Sequence, residues 1–306
     1  MSQPPDLSVE IAGIRFRTPV FAASGTFGYG EEFARFVDLE RIGAVIVKGT
    51  SAKPIEGNSP PRLFPTPSGM LNSIGLQNVG VDAFIRDKMP FLRGKDSAVI
   101  VNVFGYAADE YVEVVEKLND CDGICAYELN ISCPNTECGG MVFGTNTGLT
   151  RDLTAAVKAR SKRPLFVKLS PNVTDIAAIA IAAQEGGADA VSVANTFLAM
   201  AIDTETFRPR LGNVTGGLSG PAIRPITLRM VYQCAQAVKI PVIGLGGIFS
   251  AEDAVEYFLA GATAVQVGTA TFHDPKAPLR VLDGLARFLE KRGMSSVREL
   301  VGKVRI

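Results

Sequence analysis

Apolar residues along the chain gather into eight short, nearly continuous runs. They are PVFAASG (19–25), AVIVKG (44–49), AVIVNVFG (98–105), AYELNIS (126–132), LFVKLSP (165–171), AVSVANT (190–196), PVIGLGG (241–247) and AVQVGTA (264–270). Continuous rather than alternating runs suit parallel strands covered on both faces. Stretches with helical spacing lie between them, such as 109–119, 174–185 and 251–260. Asp, Ser and Thr near their starts supply N-caps, and Gly186 and Gly261 fall just past two of the ends. Eight β/α units in 306 residues predict one α/β domain over 1–306, a (β/α)8 TIM barrel. A doubly wound sheet normally uses fewer strands and carries its glycine-rich turn after the first. Residues 7–18 alternate around Ala12-Gly13 and predict an N-terminal β-hairpin beneath the barrel. Long connections after strands 2, 4 and 6 (50–78, 133–149 and 197–222) leave the C-terminal strand ends. Barrel active sites lie there, so these are predicted active-site loops.

Charge narrows the function classes. Lys+Arg and Asp+Glu number 31 each, so no basic field exists to hold nucleic acid. No run of 18 apolar residues occurs despite a mean hydropathy of +0.20, so no membrane span is expected. Met1-Ser2-Gln3-Pro4-Pro5-Asp6 has neither the basic start nor the apolar stretch of a secretory signal. A cytoplasmic chain with free thiols is expected. The single histidine, His273, reads as an incidental loop residue, and its isolation argues against multi-His zinc sites and His-based triads. Cys121, Cys125, Cys133 and Cys138 lie close in sequence, but a strand at 126–132 would separate Cys125 from Cys133 by roughly 25 Å. No metal site is expected, and Cys121, Cys125 and Cys234 read as small buried hydrophobes.

The strand ends carry polar residues where packing alone would place apolar ones: Ser24, Lys48, Asn102, Asn130, Lys168 and Asn195. A buried Lys or Asn without partners costs several kcal/mol. A hydrogen-bonded polar layer that merely stabilises the barrel is the plainer alternative for any one of them. It accounts poorly for six at equivalent positions. Gly244-Leu245-Gly246-Gly247 ends the seventh run and Gly268-Thr269 the eighth, where barrels commonly bind phosphate. A dinucleotide fingerprint would need glycine at Phe249. Phosphate, two lysines and several amides at one mouth point to a phosphorylated cofactor plus a small polar substrate. Lys168 can sit beside a group that becomes anionic, such as the N1–O2 edge of a flavin. A Schiff-base role for Lys48 or Lys168 is the alternative.

Cys133, in Asn130-Ile131-Ser132-Cys133-Pro134-Asn135, is the base candidate. An unperturbed thiol has a pKa of about 8.5, near enough to neutrality to take a proton where its pocket favours the thiolate. Cys138 is its rival, and Gly139-Gly140 beside it predict a mobile lid.

Four segments together resemble dihydroorotate dehydrogenase: NISCPN, KGTSAKPIEGNSPPRLFPTPSGMLNSIGLQN (48–78), GGLSGPAI (216–223) and the GLGGI…VGTA pair. The resemblance covers essentially the whole chain. It implies an FMN-dependent barrel that oxidises dihydroorotate to orotate in pyrimidine synthesis. Cys at the base position resembles class 1 rather than the membrane-linked class 2. PSGMLNSIGLQNVGVDAF, with Gln77-Asn78, resembles the class 1B catalytic subunit more than the fumarate-using 1A enzyme. The resemblance implies a second subunit that carries FAD and a [2Fe–2S] cluster, passes electrons to NAD and assembles as a heterotetramer of two catalytic and two electron-transfer chains. No dinucleotide fingerprint or cluster-binding cysteine run occurs in this chain.

Position by position, the resemblance implies FMN contacts from Ser24, Lys48, Gly49, Asn102, Asn130, Lys168, Ala194, Gly220, Gly246, Gly247, Gly268 and Thr269. It implies substrate contacts from Lys48, Asn72, Ser73, Ile74, Gly75, Leu76, Asn130, Asn195 and Thr196, and catalysis by Cys133. Ala194 replaces a larger aliphatic residue, so a backbone contact is expected there, and Ser73 stands where Ala is common. The competing readings are a 1A-type enzyme, another FMN barrel (dihydropyrimidine dehydrogenase-like or dihydrouridine synthase-like), or a non-catalytic module that binds a phosphate ligand. Zero net charge disfavours a tRNA-modifying synthase.

Overall fold

The computed structural model describes residues 4–131 and 140–305. Its strands, in chain order, begin with β1 (Val9–Ile11), β2 (Ile14–Phe16), β3 (Val20–Ala22) and β4 (Ala44–Thr50). β5 (Leu63–Thr66), β6 (Gly69–Asn72), β7 (Ala98–Val103), β8 (Ala126–Asn130), β9 (Leu165–Lys168) and β10 (Ala190–Val193) follow. The last are β11 (Phe197–Met200), β12 (Ile202–Asp203), β13 (Arg208–Pro209), β14 (Thr215–Ser219), β15 (Val242–Leu245) and β16 (Ala264–Val267). A closed parallel barrel runs β3-β4-β7-β8-β9-β10-β15-β16 and back to β3. Each predicted apolar run supplies one of its strands. Both faces of these strands are buried, one by the outer helices and one by the barrel interior, which is why their sequences do not alternate.

Of the three predicted helices two open on the expected caps, whereas Ala108–Asn119 follows Ala107 and has no side-chain cap, so its apolar spacing alone places it. The helix Ile176–Glu185 starts with the Asp175 carboxylate accepting from Ala178 N at 3.1 Å. Ala251–Leu259 opens with a capping box of Ser250 and Asp253. At the other ends, Gly261 takes φ +112, as expected. Gly186 does not take the left-handed conformation: it stays helical at φ −73, and Gly187 makes the turn at φ +91. The helix thus extends one residue further before the chain reverses.

β1 and β2 form the predicted hairpin, with Ala12 and Gly13 at φ +54 and +77 in its two-residue turn. Two consecutive positive φ values match the right-handed twist of paired strands. Phe16 packs against Phe21 of β3 with ring centroids 4.8 Å apart, which seats the hairpin below the barrel.

The connections after the second and sixth barrel strands are more than loops. Residues from both pair into one antiparallel sheet, β5-β6-β14-β11. Close approach demands glycine here: a Cβ on Gly217 would meet Thr196 Oγ1 at 2.0 Å, and one on Gly69 would meet Ser219 O at 2.1 Å. In the third connection, residues 140–145 and 147–158 are helical. Gly140 of the expected glycine lid opens the first of these helices, and Gly139 lies outside the described residues. His273 is the last residue of a short helix, Ala270–His273, rather than a loop residue. Among the described residues no helix is long and apolar enough to cross a membrane.

Candidate active site

Side chains on one strand alternate inward and outward, so pairing in register fixes which polar groups share the barrel interior. Asn102 of β7 pairs with Glu128 of β8, Asn130 with Lys168 of β9, and Lys168 with Ser192 of β10. Lys48 enters from β4 and Gln266 from β16. Their upper members open into a cavity of about 390 Å³, within the range of small-molecule and cofactor sites. The sheet built from β5, β6, β11 and β14 contributes a wall through Leu63, Asn72 and Ser219.

Outer helices pin the strand ends that shape this cavity. Tyr111 Oη donates to Asn130 O at 2.9 Å, and Tyr257 Oη to Gly246 O at 2.6 Å. Burial pushes the Tyr257 phenol well above its usual range, with Thr227 opposing the shift, so it stays a neutral donor. Gly246 and Gly247 adopt φ +126 and +71. A Cβ on Gly247 would lie 2.7 Å from Gly220 O, so the turn leaves its backbone bare toward the cavity. Gly268 and Thr269 lead directly into the short helix Ala270–His273, and Thr269 Oγ1 donates to Ser219 Oγ at 2.8 Å. Two glycine turns beside a short extra helix form the anion-binding corner typical of this fold.

The opposite side is organic in character. Ile74, Gly75 and Leu76 line the cavity, with Gly75 at φ +73 and Leu76 at φ +57. A positive φ at Leu is strained, and such strain persists where surrounding structure holds it. Asn72 Nδ2 donates to Gly217 O at 3.3 Å, and Asn195 Oδ1 accepts from Thr196 N at 2.9 Å. Lys168 Nζ donates to Ser24 Oγ at 3.2 Å. Burial lowers the Lys48 pKa; Glu32 opposes the shift and Arg62 adds to it. An anion placed against Lys48 would favour its charged form and oppose that shift.

Of the residues expected from sequence, Ser24, Lys48, Gly49, Asn102, Asn130, Lys168, Ala194, Gly246, Gly247, Gly268 and Thr269 line this one cavity. Asn72, Ile74, Gly75, Leu76, Asn195 and Thr196 do as well. Two do not. Ser73 is turned into the protein, its Oγ accepting from Asn58 Nδ2 at 2.7 Å, because strand alternation reverses its side relative to Asn72. Gly220 stands behind the wall, its oxygen packed against Gly247 while Ser219 faces the cavity. Cys133 and Cys138 lie outside the described residues. Cys121 and Cys234 are buried as expected. Cys125 is only half-buried, with its Sγ 3.1 Å from Val99 O. Burial pushes the Cys125 and Cys234 thiols up to about 12, far from a useful base. No cluster that could hold a metal ion occurs among the described residues.

Sequence reasoning missed Gln77, Ser219 and Gln266 at the cavity and Glu128 and Ser192 beneath it. The last three carried the same signal as Asn102, a polar residue inside an apolar strand run.

Residues 6–289 match the model of the dihydroorotate dehydrogenase family. A Geotalea uraniireducens protein, dihydroorotate dehydrogenase B (NAD(+)) catalytic subunit, is 56% identical over 298 residues, 97% of this chain and 98% of the relative. A Solibacter usitatus protein provisionally named dihydroorotate dehydrogenase A (fumarate) is 55% identical over 301 residues, 98% of this chain and 99% of its own. Among solved structures, a dihydroorotate dehydrogenase from Eimeria tenella in complex with ferulenol superposes with a TM-score of 0.83 at 26% identity. It covers 97% of this chain and 88% of that one. By sequence over nearly its full length, and by a barrel whose polar strand ends converge on one cavity, the chain belongs to the dihydroorotate dehydrogenase family.

Proposed function

We propose that this chain is the catalytic subunit of an NAD-linked dihydroorotate dehydrogenase, and that its cavity holds FMN and the substrate together. One observation carries the reading: polar ends of separate barrel strands and two glycine turns enclose a single cavity. The residues present fit an FMN. The bare turns at Gly246-Gly247 and Gly268-Thr269 suit its phosphate, and the buried acceptor Gln266 Oε1, which has no hydrogen-bond partner among the described residues, suits a donor on the cofactor.

FMN, when bound, supplies the acceptor for the hydride that leaves C6 of dihydroorotate. The chain's own residues do the rest. Cys133, three residues beyond Asn130 in sequence, takes the proton from C5. Asn72, Asn130 and Asn195 both donate and accept, which matches the amide edges of the substrate ring. Lys48 faces the substrate carboxylate and gains charge stability from it. Lys168, held by Ser24, offsets negative charge that develops beside it. Electrons leave through a partner subunit with FAD and a [2Fe–2S] cluster, in a cytoplasmic assembly of two chains of each kind.

The test is purification of the chain alone and with its electron-transfer partner. A flavin spectrum, bleaching by dihydroorotate without oxygen, and NAD reduction only in the pair are expected. A colourless protein that takes up no added FMN refutes the reading. The Solibacter relative favours a second reading, electron transfer to fumarate. Dihydroorotate-dependent fumarate reduction by the chain alone selects it.

A further inference from the structure

Beneath the cavity floor lies a polar cluster of which the proposed function uses only Gln266 Oε1. Glu128, on β8, is fully buried. Its carboxylate accepts from Asn102 Nδ2 at 2.8 Å, from Ser192 Oγ at 2.7 Å and from Gln266 Nε2 at 2.7 Å. Gln266 spends its second N–H on Ser192 Oγ at 3.0 Å. Its other end, Oε1, is buried without a hydrogen-bond partner among the described residues, although Gln266 lines the cavity and is only 1% exposed.

An amide has one donating and one accepting end, whereas a carboxylate only accepts. Glu128 therefore decides which way two amides face. Turning Gln266 over would set its oxygen against the carboxylate oxygens and break two bonds. Asn102 is oriented in the same way: its Nδ2 goes to Glu128, and its Oδ1 accepts from Asn130 Nδ2 at 3.4 Å. A buried acceptor with no donor is a cost that folded proteins rarely carry without a use.

We infer that Glu128 is a positioning residue. It locks the Gln266 amide so that Oε1 accepts a hydrogen bond from an N–H or O–H of the FMN bound in this cavity. The inference rests on the proposed FMN site and adds to it a residue that never touches the cofactor. Glu128→Gln keeps the size but removes the acceptor-only constraint, so the Gln266 amide is free to turn its NH2 toward the ligand. Gln266→Leu removes the acceptor outright.

The experiment strips flavin from the holoenzyme and titrates wild type, Glu128→Gln, Gln266→Leu and the double variant with FMN, following flavin fluorescence and visible absorption. Each single variant is expected to bind FMN roughly 10- to 100-fold more weakly, as for a lost bond to a buried acceptor, with a shifted flavin spectrum. In the double variant, Glu128→Gln should add little to Gln266→Leu, because the lock then has nothing to hold. Lumiflavin, which lacks the ribityl phosphate, identifies the donor. A matching loss assigns an isoalloxazine N–H, and an unchanged affinity assigns a ribityl hydroxyl. Should Glu128→Gln fail to fold, Ser192→Ala, which removes another partner of the same carboxylate and of the Gln266 amide, takes its place, and Gln266→Leu still tests the acceptor. A folded Gln266→Leu protein with wild-type FMN affinity and spectrum overturns the inference, as do fully additive effects in the double variant. Wild-type apoprotein that binds no FMN sinks the cofactor reading and this one together. Tight wild-type binding with unaffected variants sinks this one alone.

Discussion

Two levels of the barrel interior differ by a single pleat. On β4, β7 and β9 the upper inward positions are Lys48, Asn102 and Lys168; two residues earlier on the same faces stand Ile46, Ile100 and Phe166. The lower three are fully buried, and Asn102 and Lys168 above them are buried almost as deeply, so exposure does not separate the levels. What separates them is partnership. The lower level is held by contact with its neighbours and needs only to fill volume. The upper level holds groups that would be costly alone, and most are tied to another: Asn102 to Glu128, Lys168 to Ser24, Asn130 to Asn102. The lower level therefore supplies packing, and the upper level brings polar groups to the cavity.

That division can be broken from either side. The largest effect belongs to the chemical side. Replacing Cys133 with Ala is expected to reduce turnover by about 10²–10⁴ while the visible flavin spectrum and unfolding midpoint stay as in wild type. Cys133→Ser should keep a small activity that grows with pH. Wild-type turnover in the Ala variant would remove Cys133 from the mechanism. Next comes the packed level. Phe166→Ala should cost about 3–5 kcal/mol of stability, read from the denaturant midpoint. A cost below about 1 kcal/mol would mean that the lower level is not the load it is taken to be.

The third effect is the smallest and sharpens the boundary. Lys48→Met should weaken binding of orotate, a carboxylate product, by roughly 10- to 100-fold at neutral pH, as for loss of a charge-assisted bond. The pH course follows from burial. Lys48 has a folded-state pKa below its unfolded value, so the unfolded chain binds more protons between the two. Stability from this group is depressed at lower pH and recovers as pH rises through that window. Lys48→Met should abolish the recovery, and its orotate affinity should approach that of wild type once Lys48 is deprotonated. A wild-type affinity that stays constant across that pH range contradicts a charged contact.

Most of the site could be read from residue types because β-strand geometry is simple. A polar residue at the end of a buried strand must face either a helix or the barrel interior, and in a barrel the interior ends converge. That logic located Asn102, Asn130 and Lys168, and applied to every strand position it would have found Glu128, Ser192 and Gln266 as well. Ser192 and Gln266 stand one residue before their strands' ends, as Asn102 does, and Glu128 lies one pleat below Asn130.

The chain's own pattern was enough to determine the eight barrel strands, the hairpin at Ala12-Gly13 and the convergence of lysines and asparagines at one mouth. Each rests on local periodicity or on backbone demands that act within a few residues. Tertiary structure alone decided that 63–72 and 197–219 become one sheet, that Ser73 turns inward, and that Glu128 orients two amides from other strands. Each segment forms a short hairpin of its own, β5 with β6 and β11 with β14, and only the β6–β14 pairing, between residues some 145 apart in sequence, joins them into one sheet. A hydrogen bond between distant residues leaves no trace in the spacing of either one, because its geometry exists only once the barrel has closed around it.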